Sequence, residues 1–203
     1  MRVRKSVFCF IAALIFSIFV AGCGGWLDML NDSEDLAERD TDTQTDIQTG
    51  EAAGEVYPFP YEFAARDLYG EKVTQEALGE KEIFFVHLWA TWCGPCVVEM
   101  GDLARIAAAY GENVGFLGLL LDYNENREGA VKLTEANGVD FLNVHFASDG
   151  LLDLALMADS GFVPTTIIID GEGGMIGGQI IGAHALGYGA YIEEALKTVR
   201  NRQ

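Results

Sequence analysis

The chain has 203 residues, which is enough for one ordinary domain with extensions. It carries 31 acidic residues against 13 basic ones, a net charge of −18 at pH 7. Such a charge excludes binding to nucleic acid or to anionic lipid by electrostatic attraction, and it favours solubility or basic partners.

The first 22 residues are predicted to be a lipoprotein signal peptide. Three basic residues among the first five precede an apolar run from Val7 to Val20, which is typical of a secretory signal. Val20-Ala21-Gly22-Cys23 resembles the lipobox of bacterial lipoproteins, in which the cysteine becomes the lipidated first residue. An uncleaved anchor and an ordinary signal peptide are the alternatives. We expect a lipid-anchored protein on the periplasmic side of a bacterial membrane, held through lipidated Cys23.

Residues 23–56 are predicted to form an acidic, disordered tether. This segment has few large apolar residues and is rich in Asp, Glu, Thr, Gln and Gly, a composition that cannot bury enough apolar surface to fold. The folded domain is predicted over residues 57–203. Its first elements are a hairpin or a short extended pair, from Phe63 to Leu68 and from Lys72 to Thr74, with a turn at Tyr69-Gly70.

A buried strand and a dithiol follow. Ile83 to Trp89 is an apolar, aromatic run of strand length, and after Trp92 comes Cys93-Gly94-Pro95-Cys96, with helical periodicity to about Tyr110. The N–H groups and positive dipole end of a helix favour an anion, so the Cys93 thiol should ionise more readily than an ordinary thiol. Cys96 lies one turn further on, where it can attack a mixed disulfide on Cys93. This arrangement predicts thiol–disulfide exchange, without a metal or other cofactor.

Three other roles for the two cysteines compete with thiol–disulfide exchange. A structural disulfide would close a very short loop and remove little entropy from the unfolded chain. A structural zinc site would need a second pair of Cys or His ligands, which the sequence lacks. A pair of buried, inert thiols remains an alternative, although the neighbouring Trp, Gly and Pro fit redox chemistry better.

The segment from Phe84 to Cys96, FFVHLWATWCGPC, resembles the active-site segment of thioredoxin-fold proteins. With Glu99 it reads C-x-x-C-x-x-E, which is most similar to the membrane-anchored TlpA and ResA families. The resemblance covers about Tyr57 to the C-terminus. It implies an α/β, thioredoxin-like fold with a central mixed β-sheet, helices on both faces, an N-terminal hairpin and a TlpA/ResA-type insertion between about residues 124 and 148.

The pattern of the remaining chain agrees with an α/β sheet covered on both faces. The predicted strands are Val114–Leu121, Asn143–Ala147, Ile167–Asp170 and Met175–Ile181. The predicted helices are Asn126–Asn137, Leu151–Ala158 and Tyr188–Arg200.

The resemblance also assigns residues around the dithiol. It implies that Pro164 is cis and that the backbone of Val163 pairs with a bound substrate. Trp92, Gly94 and Pro95 are expected to contact the substrate. The Gly-Pro dipeptide resembles that of reducing thioredoxins and favours a reductase.

Glu99 and His87 are candidates for proton transfer. By spacing alone Glu99 would be a solvated helix residue, but the ResA-type motif implies a buried carboxyl with a raised pKa that passes protons to the thiols. His87 occupies a position where thioredoxins have a buried acid, and it could relay protons or be a neutral core residue.

A copper-binding module is the alternative function. SCO-type copper chaperones share the fold and use two cysteines with a distant histidine, for which His184 is the candidate and His145 a second histidine. Those proteins space their cysteines by one residue more.

The predicted function is therefore a membrane-tethered, extracytoplasmic thiol–disulfide oxidoreductase that reduces disulfides in protein substrates. Cys9 lies within the signal peptide, and a lipidated Cys23 leaves only Cys93 and Cys96. In an oxidising compartment this pair stays reduced only if a donor supplies electrons. The resemblance implies a membrane thiol protein as donor, as for relatives in cytochrome c maturation.

Overall fold

A computed structural model describes residues 54–184 and 186–203 of the chain. The predicted signal peptide, the lipidation site Cys23 and all of the predicted tether up to residue 53 lie outside the described residues. Among the helices of the described ranges, none combines the length and the apolar character needed to cross a bilayer.

The described residues alternate strands and helices. The strands are β1 (Tyr57–Pro58), β2 (Ala64–Arg66), β3 (Lys72–Thr74), β4 (Glu80–Lys81), β5 (Ile83–Trp89), β6 (Val114–Leu120), β7 (Leu142–His145), β8 (Thr165–Asp170) and β9 (Met175–Ile181). The α-helices are α1 (Gly94–Tyr110), α2 (Tyr123–Ala136), α3 (Leu152–Ala158) and α4 (Tyr188–Arg200).

The main sheet of the described chain has five strands in the order β7-β6-β5-β8-β9. β5, β6 and β7 are parallel, which the crossover helices α1 and α2 require, whereas β8 and β9 run antiparallel to their neighbours. The central mixed sheet predicted from the sequence is thus confirmed. β5 lies in its middle, and all seven of its residues are buried.

Helices cover both faces because successive side chains of β5 point to opposite sides of the sheet. Phe84, Val86 and Leu88 pack in one core with α3 and with aromatic residues of the N-terminal segment. Ile83 and Phe85 pack in a second core with α1 and α4. By the same alternation His87 belongs to the face that carries α1 and α4.

The predicted hairpin is confirmed as the antiparallel pair of β2 and β3. A second small pair joins β1 to β4, just ahead of the central strand β5. An aromatic cluster anchors this region to the sheet, since the ring of Phe59 meets the ring of Phe84 edge-on at 4.9 Å.

The region predicted as an insertion forms α2 and β7, and its boundaries differ from the predicted ones. The helix begins at Tyr123, because one helical turn precedes a kink at Asn126 (φ −147°, ψ 38°). The side-chain amide of Asn126 donates to Thr91 Oγ1 (2.8 Å). The strand covers Leu142–His145, where it pairs with β6. β8 begins at Thr165, two residues earlier than predicted.

Candidate active site

Cys93 and Cys96 form a disulfide at the start of α1, directly after the central strand. Cys93 is the N-cap residue of the helix, and its Sγ accepts a hydrogen bond from the backbone N–H of Cys96 (3.2 Å). A thiolate at this sulfur would keep that donor and would also lie at the positive end of the helix dipole. Cys96 is completely buried, whereas Cys93 keeps 5% of its surface exposed, so Cys93 is the sulfur that a partner can reach.

The loop between β5 and α1 is fixed by a carboxylate that the sequence analysis did not identify. Asp122, the N-cap residue of α2, accepts a hydrogen bond from the backbone N–H of Thr91 (3.0 Å) and another from the Thr91 hydroxyl. Thr91 stands two residues before Cys93, so this contact sets the position from which the dithiol loop starts. The sequence did hold a signal for this contact. Thr91 follows β5 and Asp122 follows β6, and the carboxyl ends of two adjacent parallel strands lie at the same edge of the sheet.

The peptide bond between Val163 and Pro164 is cis, as the resemblance implied. It lies beside the disulfide, because the carbonyl oxygen of Val163 is 3.5 Å from Cys93 Sγ. These two positions, 70 residues apart in the sequence, thus form one side of the site.

An open apolar cleft of about 230 Å³ extends from this point. Its lining includes Trp92, Val163 and the side chains of Leu152, Leu156 and Phe162. Trp92 is 67% exposed and Phe162 68% exposed, which is unusual for large apolar side chains unless they serve a contact. The sequence analysis predicted contact by Trp92 but missed Phe162 and the face of α3. Gly94 and Pro95 are exposed at the mouth of the site.

Glu99 is buried on α1, with 1% of its surface exposed, and is therefore not a solvated helix residue. Burial raises its pKa to about 7, although two hydrogen bonds to Oε2 act in the opposite direction. These come from the backbone N–H of His184 (3.1 Å) and the hydroxyl of Tyr188 (3.2 Å). The burial of the carboxyl thus agrees with the raised pKa that the resemblance implied.

His87 is buried on β5 and faces Glu99. Its Nε2 is 3.6 Å from Glu99 Oε1, and its Nδ1 is 2.9 Å from Thr166 Oγ1. Burial lowers the pKa of His87 to about 3, so the imidazole is neutral at physiological pH. Of the two roles left open by the sequence, the burial of His87 and its contact with Thr166 favour the neutral, hydrogen-bonded core residue.

The other two histidines lie apart from this arrangement. The imidazole Nε2 of His184 is 3.0 Å from the carbonyl oxygen of Ile181, and His184 reaches Glu99 through its backbone only. His145 is on β7, where its ring is tilted against the ring of Tyr123 and edge-on to the ring of Phe146. Residues 54–184 and 186–203 contain no group of three or more His, Cys, Asp or Glu side chains in a metal-binding arrangement.

The Redoxin family matches residues 52–181, which include the dithiol, Glu99, His87 and Pro164. The chain belongs to the Redoxin family. Among curated relatives, the chain is 31% identical over 104 residues to the thiol:disulfide interchange protein DsbE of Yersinia pestis, covering 51% of this chain and 52% of that protein. It is 30% identical over 120 residues to the thiol-disulfide oxidoreductase ResA of Bacillus thuringiensis, covering 59% and 66%.

This Redoxin chain spans about half the length of the DsbE relatives that it matches. Solved structures agree on the fold. A thiol:disulfide interchange protein of the thioredoxin family from Chlorobium tepidum superposes with a TM-score of 0.56 at 22% identity, over 71% of this chain and 99% of the other. A DsbF homologue from Corynebacterium diphtheriae gives 0.53 at 20%, over 69% and 87%. The fold is thioredoxin-like, as the sequence predicted.

Proposed function

We propose that this Redoxin protein is a membrane-tethered, extracytoplasmic thiol–disulfide oxidoreductase that reduces disulfides in protein substrates. The observation that carries the proposal is the disulfide itself. One of its sulfurs caps the helix α1, accepts a backbone N–H and lies 3.5 Å from the carbonyl of Val163, while the other is completely buried. Such a pair has one attacking and one resolving sulfur.

In the reduced protein, the Cys93 thiolate attacks one sulfur of a substrate disulfide. The substrate S–S bond breaks, a mixed disulfide forms on Cys93, and the first substrate sulfur leaves as a thiolate. Cys96 then loses its proton and attacks Cys93 Sγ, which releases the second substrate thiolate. Two electrons pass from the protein dithiol to the substrate, and the protein ends with the Cys93–Cys96 disulfide.

Glu99 is proposed to take the proton that Cys96 must lose. It follows Cys96 by three residues on the same helix, which places both side chains on one helical face. A carboxyl with a pKa of about 7 can both accept and return a proton at neutral pH. His87 belongs to the same buried group, as the neighbour of the carboxyl.

The substrate is proposed to lie along Val163 and Pro164 with its apolar side chains in the cleft. The exposed rings of Trp92 and Phe162 support this, because they offer apolar area next to the reactive sulfur. Gly94 and Pro95, exposed beside Cys93, present no bulky group to an incoming disulfide.

Tethering is proposed from the sequence at the N-terminus, where a signal peptide over residues 1–22 would leave Cys23 to carry lipid on the periplasmic side of the membrane. A membrane thiol protein would then return electrons to the disulfide. Replacing Cys23 with Ser should move the protein from the membrane fraction to the soluble fraction. Unchanged membrane association would contradict the lipid anchor while leaving the dithiol chemistry intact.

The chemistry is tested with two cysteine variants. Cys93→Ser should abolish the reduction of a protein disulfide, because no other thiolate can open it. Cys96→Ser should keep the attack but lose the resolving step, so a mixed disulfide with the substrate should accumulate and be visible by mass spectrometry. Retained turnover in Cys93→Ser would disprove the mechanism.

The direction of electron flow is tested by the reduction potential of the pair. A value near that of thioredoxin, about −270 mV, is expected for a reductase. A value near that of DsbA, about −120 mV, would instead make the protein an oxidant.

A further inference from the structure

Four buried polar side chains form a closed circuit around the carboxyl of Glu99. Glu99 Oε2 is 3.2 Å from the Tyr188 hydroxyl, which is 3.4 Å from Thr166 Oγ1. Thr166 Oγ1 is 2.9 Å from His87 Nδ1, and His87 Nε2 faces Glu99 Oε1 at 3.6 Å. None of these residues exposes more than 3% of its surface, so water does not compete for these contacts.

The circuit follows from the fold. His87 and Thr166 are direct cross-strand partners of β5 and β8, so their side chains stand together on one face of the sheet. α1 and α4 cover that same face and bring Glu99 and Tyr188 onto it.

The donors and acceptors in this circuit have one consistent direction. The Tyr188 hydroxyl donates to Glu99 Oε2, so its oxygen can only accept from Thr166. With the Thr166 hydroxyl donating its single proton to Tyr188, the Thr166 oxygen accepts from His87 Nδ1–H. A neutral imidazole with its proton on Nδ1 has a bare lone pair on Nε2.

That lone pair faces the one buried side-chain oxygen or nitrogen without a hydrogen-bond partner among the described residues, Glu99 Oε1. Two bare lone pairs facing each other would repel. A proton on Oε1 removes the repulsion, since the carboxylic acid then points its O–H towards the imidazole. Oε2 already accepts two hydrogen bonds and is the less suitable oxygen for that proton.

We propose that His87, Thr166 and Tyr188 are positioning residues that hold the transferable proton of Glu99 on Oε1, opposite the unprotonated Nε2 of His87. This inference rests on the proposed function, in which Glu99 exchanges that proton with Cys96. A separation of 3.6 Å is too long for a strong hydrogen bond, so the proton stays on the carboxyl and remains available for transfer. The lowered pKa of His87 and the raised pKa of Glu99 agree with a neutral pair.

The titratable groups around Glu99 come from each element packed against it. β5 supplies His87, α4 supplies Tyr188, and α1 supplies Cys96 one turn earlier, whereas Thr166 of β8 carries no charge. The loop before α4 supplies only the backbone N–H of His184, because that imidazole points to Ile181. Apart from His87, whose pKa burial lowers, no basic side chain of the described residues forms an ion pair with Glu99, so a proton is the group available to neutralise it.

The first test reads the tautomer of His87 directly, by ¹⁵N NMR of the full chain labelled at histidine, in the disulfide form. We expect a neutral imidazole protonated on Nδ1 from about pH 5 to pH 8, well above its pKa of about 3. A proton on Nε2, or an imidazolium at pH 6, would overturn the proposal. This result does not depend on turnover. If the wild-type protein reduced no disulfide but the tautomer were as expected, the proposed function would fail and the geometry of the circuit would stand.

The second test removes the acceptor of Nδ1–H with Thr166→Val. The imidazole should switch to the Nε2–H tautomer, which donates to Glu99 Oε1 and stabilises the carboxylate. The midpoint of the Glu99 titration, followed by ¹³C NMR of its carboxyl, should therefore fall by about one pH unit. Thr166→Ser keeps the hydroxyl and should restore both the tautomer and the midpoint.

Thr134→Val is the matched control, because Thr134 is also buried but donates only within α2. It should leave both readouts unchanged. An unchanged tautomer and midpoint in folded Thr166→Val would disprove the role of Thr166. If that variant does not fold, the wild-type tautomer and the Thr166→Ser result still decide the proposal.

Discussion

At the scale of single residues, the two sulfurs differ in ways that assign their roles. Cys93 keeps some exposed surface and its sulfur accepts a hydrogen bond from a backbone N–H, whereas Cys96, in the first turn of α1, is completely buried. The neighbouring groups divide in the same way. Trp92 and Val163 line the open cleft, whereas Glu99 and His87 are buried.

The cleft beside Cys93 gives a prediction for substrate binding. Phe162→Ala removes an exposed ring from the cleft and should raise the KM for a protein disulfide about tenfold, because an aromatic contact is worth on the order of 1–2 kcal/mol. The rate of disulfide reduction by dithiothreitol, which is too small to fill the cleft, should not change.

Val98→Ala is the control for this prediction. Val98 is also an exposed apolar residue near the dithiol, but it does not line the cleft. Equal effects of the two substitutions on KM would mean that the cleft has no special role in binding.

At the scale of secondary-structure elements, the alternation of β5 explains most of the site. Its odd-numbered residues face α1 and α4, which puts His87 in the layer that also holds Glu99. β5 is followed by the loop that contains Thr91, and Asp122, which follows β6, holds that loop by a hydrogen bond from the Thr91 backbone N–H. The loop that leads into α1 is thus held by the N-cap residue of α2.

The sequence predicted α1, β9 and α4 with their observed boundaries, because each has a clear apolar period and a clear end signal. It also predicted the dithiol and the burial of Glu99, although the latter depended on the resemblance. The partnership of His87 with Thr166 could not be predicted, since it depends on the register of two strands that are 79 residues apart. The kink in α2 was missed because Asn126 bonds to Thr91, a contact that no local periodicity reveals.

The packing of β6 against β7 gives a prediction at this scale. A Cβ on Gly118 would lie 1.8 Å from Asn143 Oδ1. That side chain cannot move freely, because it accepts from Trp89 Nε1 (2.9 Å) and donates to the carbonyl of Phe141 (2.9 Å). Gly118→Ala should lower the free energy of unfolding by about 2 kcal/mol, measured by urea denaturation.

Gly101→Ala is the matched substitution, and it should change the free energy of unfolding in the opposite direction to Gly118→Ala. Gly101 lies inside α1, and a Cβ there has no neighbour closer than 3.9 Å. Alanine should stabilise the protein by about 1 kcal/mol, because it has the higher helix propensity. A destabilised Gly101→Ala, or a Gly118→Ala as stable as wild type, would contradict the packing described for α1 or β6.

At the scale of the whole molecule, the site lies where two cores meet the middle of the sheet, so its ionisation is linked to folding. The pKa of Glu99 is raised from 4.5 to about 7 in the folded protein. Its contribution to stability is therefore fully present below pH 4.5 and is lost as the pH rises through 7. The pKa of His87 is lowered from 6.5 to about 3, so its contribution is present above pH 6.5 and is lost as the pH falls towards 3.

The variant Glu99→Gln isolates the first of these effects. It removes the buried ionisation, so its stability relative to wild type should be greater at pH 8 than at pH 5, by about 2 kcal/mol. The measurement is urea denaturation of both proteins in the disulfide form at the two pH values. The titration of His87 is common to both and cancels in the comparison. A stability difference that is the same at pH 5 and pH 8 would show that the pKa of Glu99 is not raised in the folded protein.

Tyr188 stands 89 positions after Glu99, in the last helix of the chain. While the polypeptide is being synthesised, both cysteines emerge long before this tyrosine exists. The thiols of the growing chain therefore lack the finished environment of their carboxyl neighbour until Tyr188 has been added and α4 has packed into its core.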